Sequence, residues 1–209
     1  MFDPASLTLI AITDDARDGL DELILRARLA VEGGATMIQL RLKDADPRTQ
    51  VEAARRLVSA VSVPVLVNDR ADIAMAAGAA GVHLGTEDTP ATLVRRFAGP
   101  NLIIGASVGD DSELPLAAGA DYVGIGPVFS STTKGDAGSA IGIVELARLA
   151  RACAPLPSVA VGGITADRAA EIMAGAEQAG VRGVAVVRAV FGSSHPDEAA
   201  RAIRRAMVR

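Results

Sequence analysis

The 209-residue sequence predicts an α/β protein, a closed (β/α)8 barrel of the TIM type in a single domain over residues 1–209. Three observations predict it. Eight short β-branched runs alternate with Ala-rich segments of helical period. The second, fourth, sixth and eighth runs are reached through the small-residue turns GGAT, GAAG, AGAD and AGVR, whereas the third, fifth and seventh begin near Pro64, Pro100 and Pro157. Such odd/even alternation is expected of a barrel, where alternate strands fill alternate interior layers. Third, at 50% hydrophobic residues and a mean hydropathy of +0.32, the chain suits one large core. An open doubly wound sheet has similar short apolar strands and is the alternative.

Each element can be placed in order. LTLIAIT (7–13) is the first strand, and Leu20, Leu23, Ile24, Ala27 and Val31 recur on one face of the helix after it. ATMIQLR (35–41) is the second; Asp46-Pro47 then opens a helix whose apolar face carries Val51, Ala54, Val58 and Val61. PVLVN (64–68) and GVHLG (81–85) follow, with Thr89-Pro90 opening the next helix. NLIIGAS (101–107), DYVGIG (121–126), SVAVGG (158–163) and RGVAVVR (182–188) complete the eight, and His195-Pro196 opens the last helix. The expectation is a helix after every strand. Spacing between alternate strands is even except across the unit joining strands six and seven. The excess lies between Gly126 and Ile141, where FSSTTKGD (129–136) stands on the strand-six loop as a candidate lid or a tolerated surface insertion.

Composition excludes several function classes. A net charge of −4, four Phe, one Tyr and no Trp leave neither a basic stripe nor stacking aromatics for nucleic acid. No apolar run reaches the roughly 18 residues of a membrane span, and the N-terminus lacks a basic leader segment. One cysteine, Cys153, permits no internal disulfide and reads as a core or surface thiol. A cytoplasmic location is the expectation, and one chain leaves a homo-oligomer open.

In a barrel the C-terminal strand ends share one rim, where active sites form. Thr13 and Asp14, Gln39, Arg41 and Lys43, Asn68, Asp69 and Arg70, His83, Glu87 and Asp88, Ser107, Ser131, Thr133 and Lys134, Gly162 and Gly163, and Arg188 are expected to converge there. Arg41, Lys43, Lys134 and Arg188, with the donors Asn68, Ser131 and Thr133, make an anion site better matched to two phosphorylated groups than to one carboxylate. The glycines of VGGIT (161–165) precede a helix, where bare N–H groups can cradle a phosphate; a tight turn is the simpler reading of the same pair. Asp69 and Asp88, beside a polyanion, suit Mg²⁺, and each alone reads equally well as a helix cap. His83 is given no part in proton transfer.

These stretches resemble thiamine phosphate synthases along essentially the whole chain: QLRLKD (39–44), VNDRADIA (67–74), GVHLGTED (81–88), DYVGIGPVFSSTTK (121–134) and VAVGGIT (159–165). The resemblance implies a transferase of thiamine biosynthesis. It would join 4-amino-2-methyl-5-hydroxymethylpyrimidine diphosphate to 4-methyl-5-(2-phosphoethyl)thiazole with Mg²⁺, giving thiamine phosphate and pyrophosphate. It further implies that Arg41, Lys43, Asn68 and Lys134 bind the leaving diphosphate and that Asp69 and Asp88 hold Mg²⁺. Gln39 and Ser107 orient the pyrimidine, and Ser131, Thr133 and Gly163 hold the thiazole phosphate. Lys134, Arg41, Lys43 and Ser107 are the residues expected nearest the reacting atoms.

The chain departs from the family pattern at Ser131-Thr132, where Thr-Pro is usual, at Thr86, where Gln is usual, and at Arg188, where Ser is usual. Arg188 is a candidate substrate-binding residue that either strengthens the phosphate contact, blocks it, or selects another second substrate. The related thiazole tautomerases, which carry His where Pro127 stands, a barrel lyase or epimerase acting on a sugar phosphate, and a non-catalytic phosphate-binding barrel are the alternatives.

Overall fold

A computed structural model describes residues 2–13, 18–130 and 139–208. Eight parallel strands close into a barrel in sequence order: β1 (Leu9–Ile12), β2 (Met37–Leu40), β3 (Val65–Asn68), β4 (Gly81–Leu84), β5 (Ile103–Val108), β6 (Tyr122–Ile125), β7 (Ser158–Val161) and β8 (Val181–Val186). Closure is made by β1, which pairs with β2 at Ile10–Met37 and with β8 at Leu9–Val184. The expected barrel is therefore present, with strands shorter than the apolar runs because the run ends feed the connecting turns.

Helices α1 (Leu20–Glu32), α2 (Pro47–Ala60), α3 (Ala71–Ala77), α4 (Ala91–Ala98), α5 (Gly142–Ala152), α6 (Ala166–Ala176), α7 (Arg188–Phe191) and α8 (Pro196–Met207) surround it. The start signals act as their chemistry requires. Asp46 caps α2 by accepting from the N–H groups of Arg48 and Thr49, with Pro47 in the first turn. Pro196 likewise opens α8, while Pro90 stands one position earlier than expected, just ahead of α4. Gly78 ends α3 in the left-handed region at φ 69°, as a terminal glycine can without steric cost.

One expectation fails. Strand β5 is followed by a 3-10 helix, Asp111–Ala117, not by an α-helix. Asp110 caps it through the Ser112 N–H, and Pro115 sits inside it. Proline lacks the N–H that an α-helical turn would need there, so the short crossover takes the more extended 3-10 path.

Two apolar layers result. Leu7, Ile10, Ile12, Met37, Leu66, Tyr122, Val159 and Ala185 fill the barrel interior, and the larger cluster packs strands against helices. Toward the C-terminal rim the interior turns polar, with Thr13 and Gln39 buried there. Arg26 of α1 donates to the carbonyls of Phe191 and Ser193, tying the first helix to the turn after α7.

Candidate active site

The polar rim is assembled strand by strand. At the end of β1 the buried Thr13 hydroxyl accepts from the Arg41 N–H at 2.8 Å and donates to its carbonyl at 3.2 Å, which fixes the backbone from which the half-buried Arg41 side chain leaves β2. Lys43, exposed, stands on the next turn, which Gln50 braces by donating to the carbonyls of Leu42 and Ala45 at 3.1 and 2.9 Å. Gln39 is 3% exposed and donates through Nε2 to Asn68 Oδ1 at 2.7 Å.

Asp69 follows Asn68 with φ 65°, the one non-glycine residue with positive φ among those described. Aspartate tolerates this region better than most residues, but the conformation still costs energy and is held by tertiary contacts. Here the Asp69 N–H donates to the His83 carbonyl at 2.7 Å, and the next N–H, of Arg70, to that of Asn68 at 2.7 Å. Arg70 pairs with Asp72 through two bonds, Nε to Oδ1 at 2.8 Å and Nη2 to Oδ2 at 2.6 Å. The N-cap position of α3 is Arg70, not Asp69, and that of α4 is Pro90, not Asp88. Asp88 instead closes its own turn, Oδ2 accepting from the Gly85 N–H at 2.6 Å.

Inside the mouth, β4, β5 and β6 place three polar side chains in a row. His83 Nδ1 lies 2.9 Å from the Tyr122 hydroxyl and Nε2 lies 3.1 Å from Ser107 Oγ. Tyr122 is fully buried, which drives its phenol above the ordinary tyrosine range and keeps it protonated.

The glycine loop after β7 has φ 98° at Gly162 and φ 64° at Gly163, conformations that side chains strain to adopt. A Cβ on Gly162 would lie 2.7 Å from Pro127 Cα, and one on Gly163 would lie 2.7 Å from the Ser130 carbonyl oxygen. The loop is thus pressed against the strand-six stem, where Val128 and Phe129 donate to the carbonyls of Val161 and Gly162. Arg168, on the first turns of α6, donates to the Gly163 carbonyl at 2.5 Å and lays its guanidinium 4.6 Å over the Phe129 ring. Thr165 caps this helix. Arg188 is exposed at the start of α7, directly beyond β8.

The structure therefore brings Gln39, Asn68, Ser107 and His83 together within the mouth and sets Arg41, Lys43, Asp69, Asp88, Gly163 and Arg188 on the turns that follow the strands. Asp14, Ser131, Thr133 and Lys134 lie outside the described residues. Three contributors were not singled out from sequence: Gln50 and Arg168, which sit inside helices and carry no strand-end signal, and Tyr122, which reads as an ordinary core aromatic. Among the described residues no cluster of three or more His, Cys, Asp or Glu side chains forms a metal cage. Two carboxylates on adjacent turns are nevertheless the donor set Mg²⁺ takes, since it keeps waters and draws further oxygens from substrate phosphates.

A family model described as thiamine monophosphate synthase matches residues 9–190. The chain is 44% identical over 197 residues to the thiamine-phosphate synthase of Roseiflexus castenholzii, covering 92% of this chain and 84% of that one. To the thiamine-phosphate synthase of Xanthobacter autotrophicus it is 43% identical over 211 residues, covering 98% and 97%. Among solved structures, the thiamine phosphate pyrophosphorylase from Pyrococcus furiosus superimposes with a TM-score of 0.84 at 37% identity, over 98% of this chain and 96% of that one. A 3-hexulose-6-phosphate synthase, at 17% identity and a TM-score of 0.68 over 95% and 99% of the two chains, shares the fold alone.

Proposed function

The chain belongs to the thiamine monophosphate synthase family, and from that premise we propose how it works as a thiamine-phosphate synthase. The reaction is a transfer: the bond from the pyrimidine methylene carbon to the diphosphate oxygen breaks, and pyrophosphate leaves with the electron pair. The electron-rich aminopyrimidine stabilises the resulting cation, and the thiazole nitrogen lone pair forms the new C–N bond. That nitrogen becomes quaternary and carries no proton, so the step needs no general base. Negative charge gathers instead on the leaving group, and fixed cations and donors aimed at it lower the barrier.

The observation that supports this reading most is the gathering of anion-binding groups at the strand ends, where Arg41, Lys43 and Arg188 stand on the turns around the Gln39–Asn68 pair. Arg41, Lys43 and Lys134 would stabilise the departing diphosphate, with Asn68 donating through its amide NH₂ because its Oδ1 is engaged by Gln39. Gln39 and Ser107 would orient the pyrimidine. Ser131, Thr133 and the Gly163 backbone would take the thiazole phosphate at the opening of α6, where the helix dipole favours an anion. Asp69 and Asp88 would hold Mg²⁺, which when bound neutralises diphosphate charge and steadies the leaving group. Arg188 would add a contact to the thiazole phosphate.

Among the described residues no helix is long and apolar enough to cross a membrane, and we place the enzyme in the cytoplasm with small phosphorylated substrates. The test is turnover of both substrates by the purified protein, with Mg²⁺ or with EDTA, followed as thiochrome fluorescence. Metal-dependent thiamine phosphate supports the reading. Binding of the pyrimidine diphosphate with no product would overturn it and make Arg188 the mark of a different second substrate.

A further inference from the structure

We propose that Tyr122 and His83 are positioning residues that fix Ser107 as a hydrogen-bond donor facing the pyrimidine substrate, an inference that rests on the thiamine-phosphate synthase reading. The three side chains come from three neighbouring strands. In the β4–β5–β6 register His83 stands beside Gly105 and Gly105 beside Tyr122, while Ser107 stands beside Gly124. The two glycines make the room. A Cβ on Gly105 would run into the Tyr122 ring and His83 Nδ1, and one on Gly124 would come within 3.0 Å of His83 Cε1. Glycine in a strand weakens it, so its use twice around one imidazole marks a close approach that the fold provides for.

The direction of each hydrogen bond follows from burial. The Tyr122 hydroxyl is fully buried, its one hydrogen-bond partner among the described residues is His83 Nδ1, and a buried phenol left without an acceptor would be costly. Tyr122 therefore donates and Nδ1 accepts. A neutral imidazole that accepts at Nδ1 carries its proton at Nε2. That proton points to Ser107 Oγ, 3.1 Å away. Ser107 thus accepts from His83, and its own O–H is turned away, into the mouth where Gln39 and Asn68 also lie. The reaction removes no proton from Ser107, so the row acts by orientation. A lone serine would sample other hydroxyl torsions, including those that present a lone pair to the ring.

The tautomer is read directly by long-range ¹H–¹⁵N correlation of the histidine side chains, with His195→Gln identifying the other of the two. The expected result is His83 protonated at Nε2 and bare at Nδ1 in the wild-type protein, with mixed tautomers in Tyr122→Phe. In turnover, Tyr122→Phe should lower kcat about tenfold and leave KM for the pyrimidine diphosphate within about twofold. In a Ser107→Ala background Tyr122→Phe should have no further effect, because its influence passes through that hydroxyl. A proton on Nδ1 in the wild-type protein overturns the proposal, as does an undiminished loss in the Ser107→Ala background; the first measurement needs no variant to fold. Absence of product from the wild-type enzyme would refute the functional reading instead, and the tautomer would still decide which way Ser107 faces.

Discussion

Gln39 Nε2 donates to Asn68 Oδ1 at 2.7 Å, joining β2 to β3 inside the barrel mouth. The bond consumes the amide oxygen of Asn68 and leaves its NH₂ to face an anion. Asn68→Asp preserves an acceptor for Gln39 while placing a negative charge beside the diphosphate. Its kcat/KM should fall about 100-fold, equivalent to roughly 3 kcal/mol, with Tm nearly unchanged. Asn68→Ala should lower both, since it leaves a buried Gln39 amide unpaired. Equal stability of the two variants would argue against the bond.

The Asp88 carboxylate has two separable tasks, accepting from the Gly85 N–H and, in the proposed mechanism, binding Mg²⁺. Asp88→Asn keeps an oxygen for the turn and removes the charge. The Mg²⁺ concentration for half-maximal turnover should rise about tenfold or more, with little change in Tm. Asp88→Ala should in addition lose about 1 kcal/mol of stability. A metal titration unmoved in Asp88→Asn would reduce this residue to a turn former.

Arg168 couples the glycine loop to Phe129 through one hydrogen bond and one ring contact. Lysine retains the charge but cannot hold both with a planar fork. Arg168→Lys and Arg168→Ala should therefore raise KM for the thiazole phosphate alike, by about three- to tenfold. The KM for the pyrimidine diphosphate serves as the internal control and should stay unchanged. Full rescue by lysine would show that charge alone matters.

Acid titration offers a check on the surface. The hydrogen bonds from Arg70 hold the Asp72 carboxyl below its ordinary range. A lowered carboxyl contributes stability that is present above the unfolded value and lost as pH falls through the folded one. Both partners are well exposed, so the contribution is at most about 1 kcal/mol. Asp72→Asn should be slightly less stable than wild type at pH 7, and the gap in Tm should narrow as pH drops below about 3.9, the unfolded aspartate value. A gap constant down to low pH would assign the difference to something other than this pair.

Much of the fold was legible because a barrel strand is a short apolar run bounded by turn residues, and Gly78, Asp46 and Pro196 mark their turns through local chemistry alone. The segment after β5 departs from the helix expected there because Pro115 removes the donor that an α-helix would need, although its Ala and Leu content suits one. Convergence at the rim could be read from topology, since strand ends in a closed barrel must meet. Its hydrogen bonding could not. That His83 lies between Tyr122 and Ser107 depends on the stagger of three strands, and that Arg168 reaches back to Gly163 depends on how α6 leaves its turn. The backbone role of Asp88 toward Gly85 was hidden for another reason: an aspartate ahead of Thr-Pro advertises a helix cap more strongly than a closed turn.

The pairing of β1 with both β2 and β8 also has a consequence for synthesis on the ribosome. The strand translated first waits for the one translated last: until residues 181–186 have emerged, one edge of β1 has no partner in its own chain. An open edge of apolar strand invites pairing with neighbouring nascent chains. The enzyme's most exposed period is therefore the interval before residues 181–186 leave the exit tunnel, when α8 and the turn that receives Arg26 are also still missing.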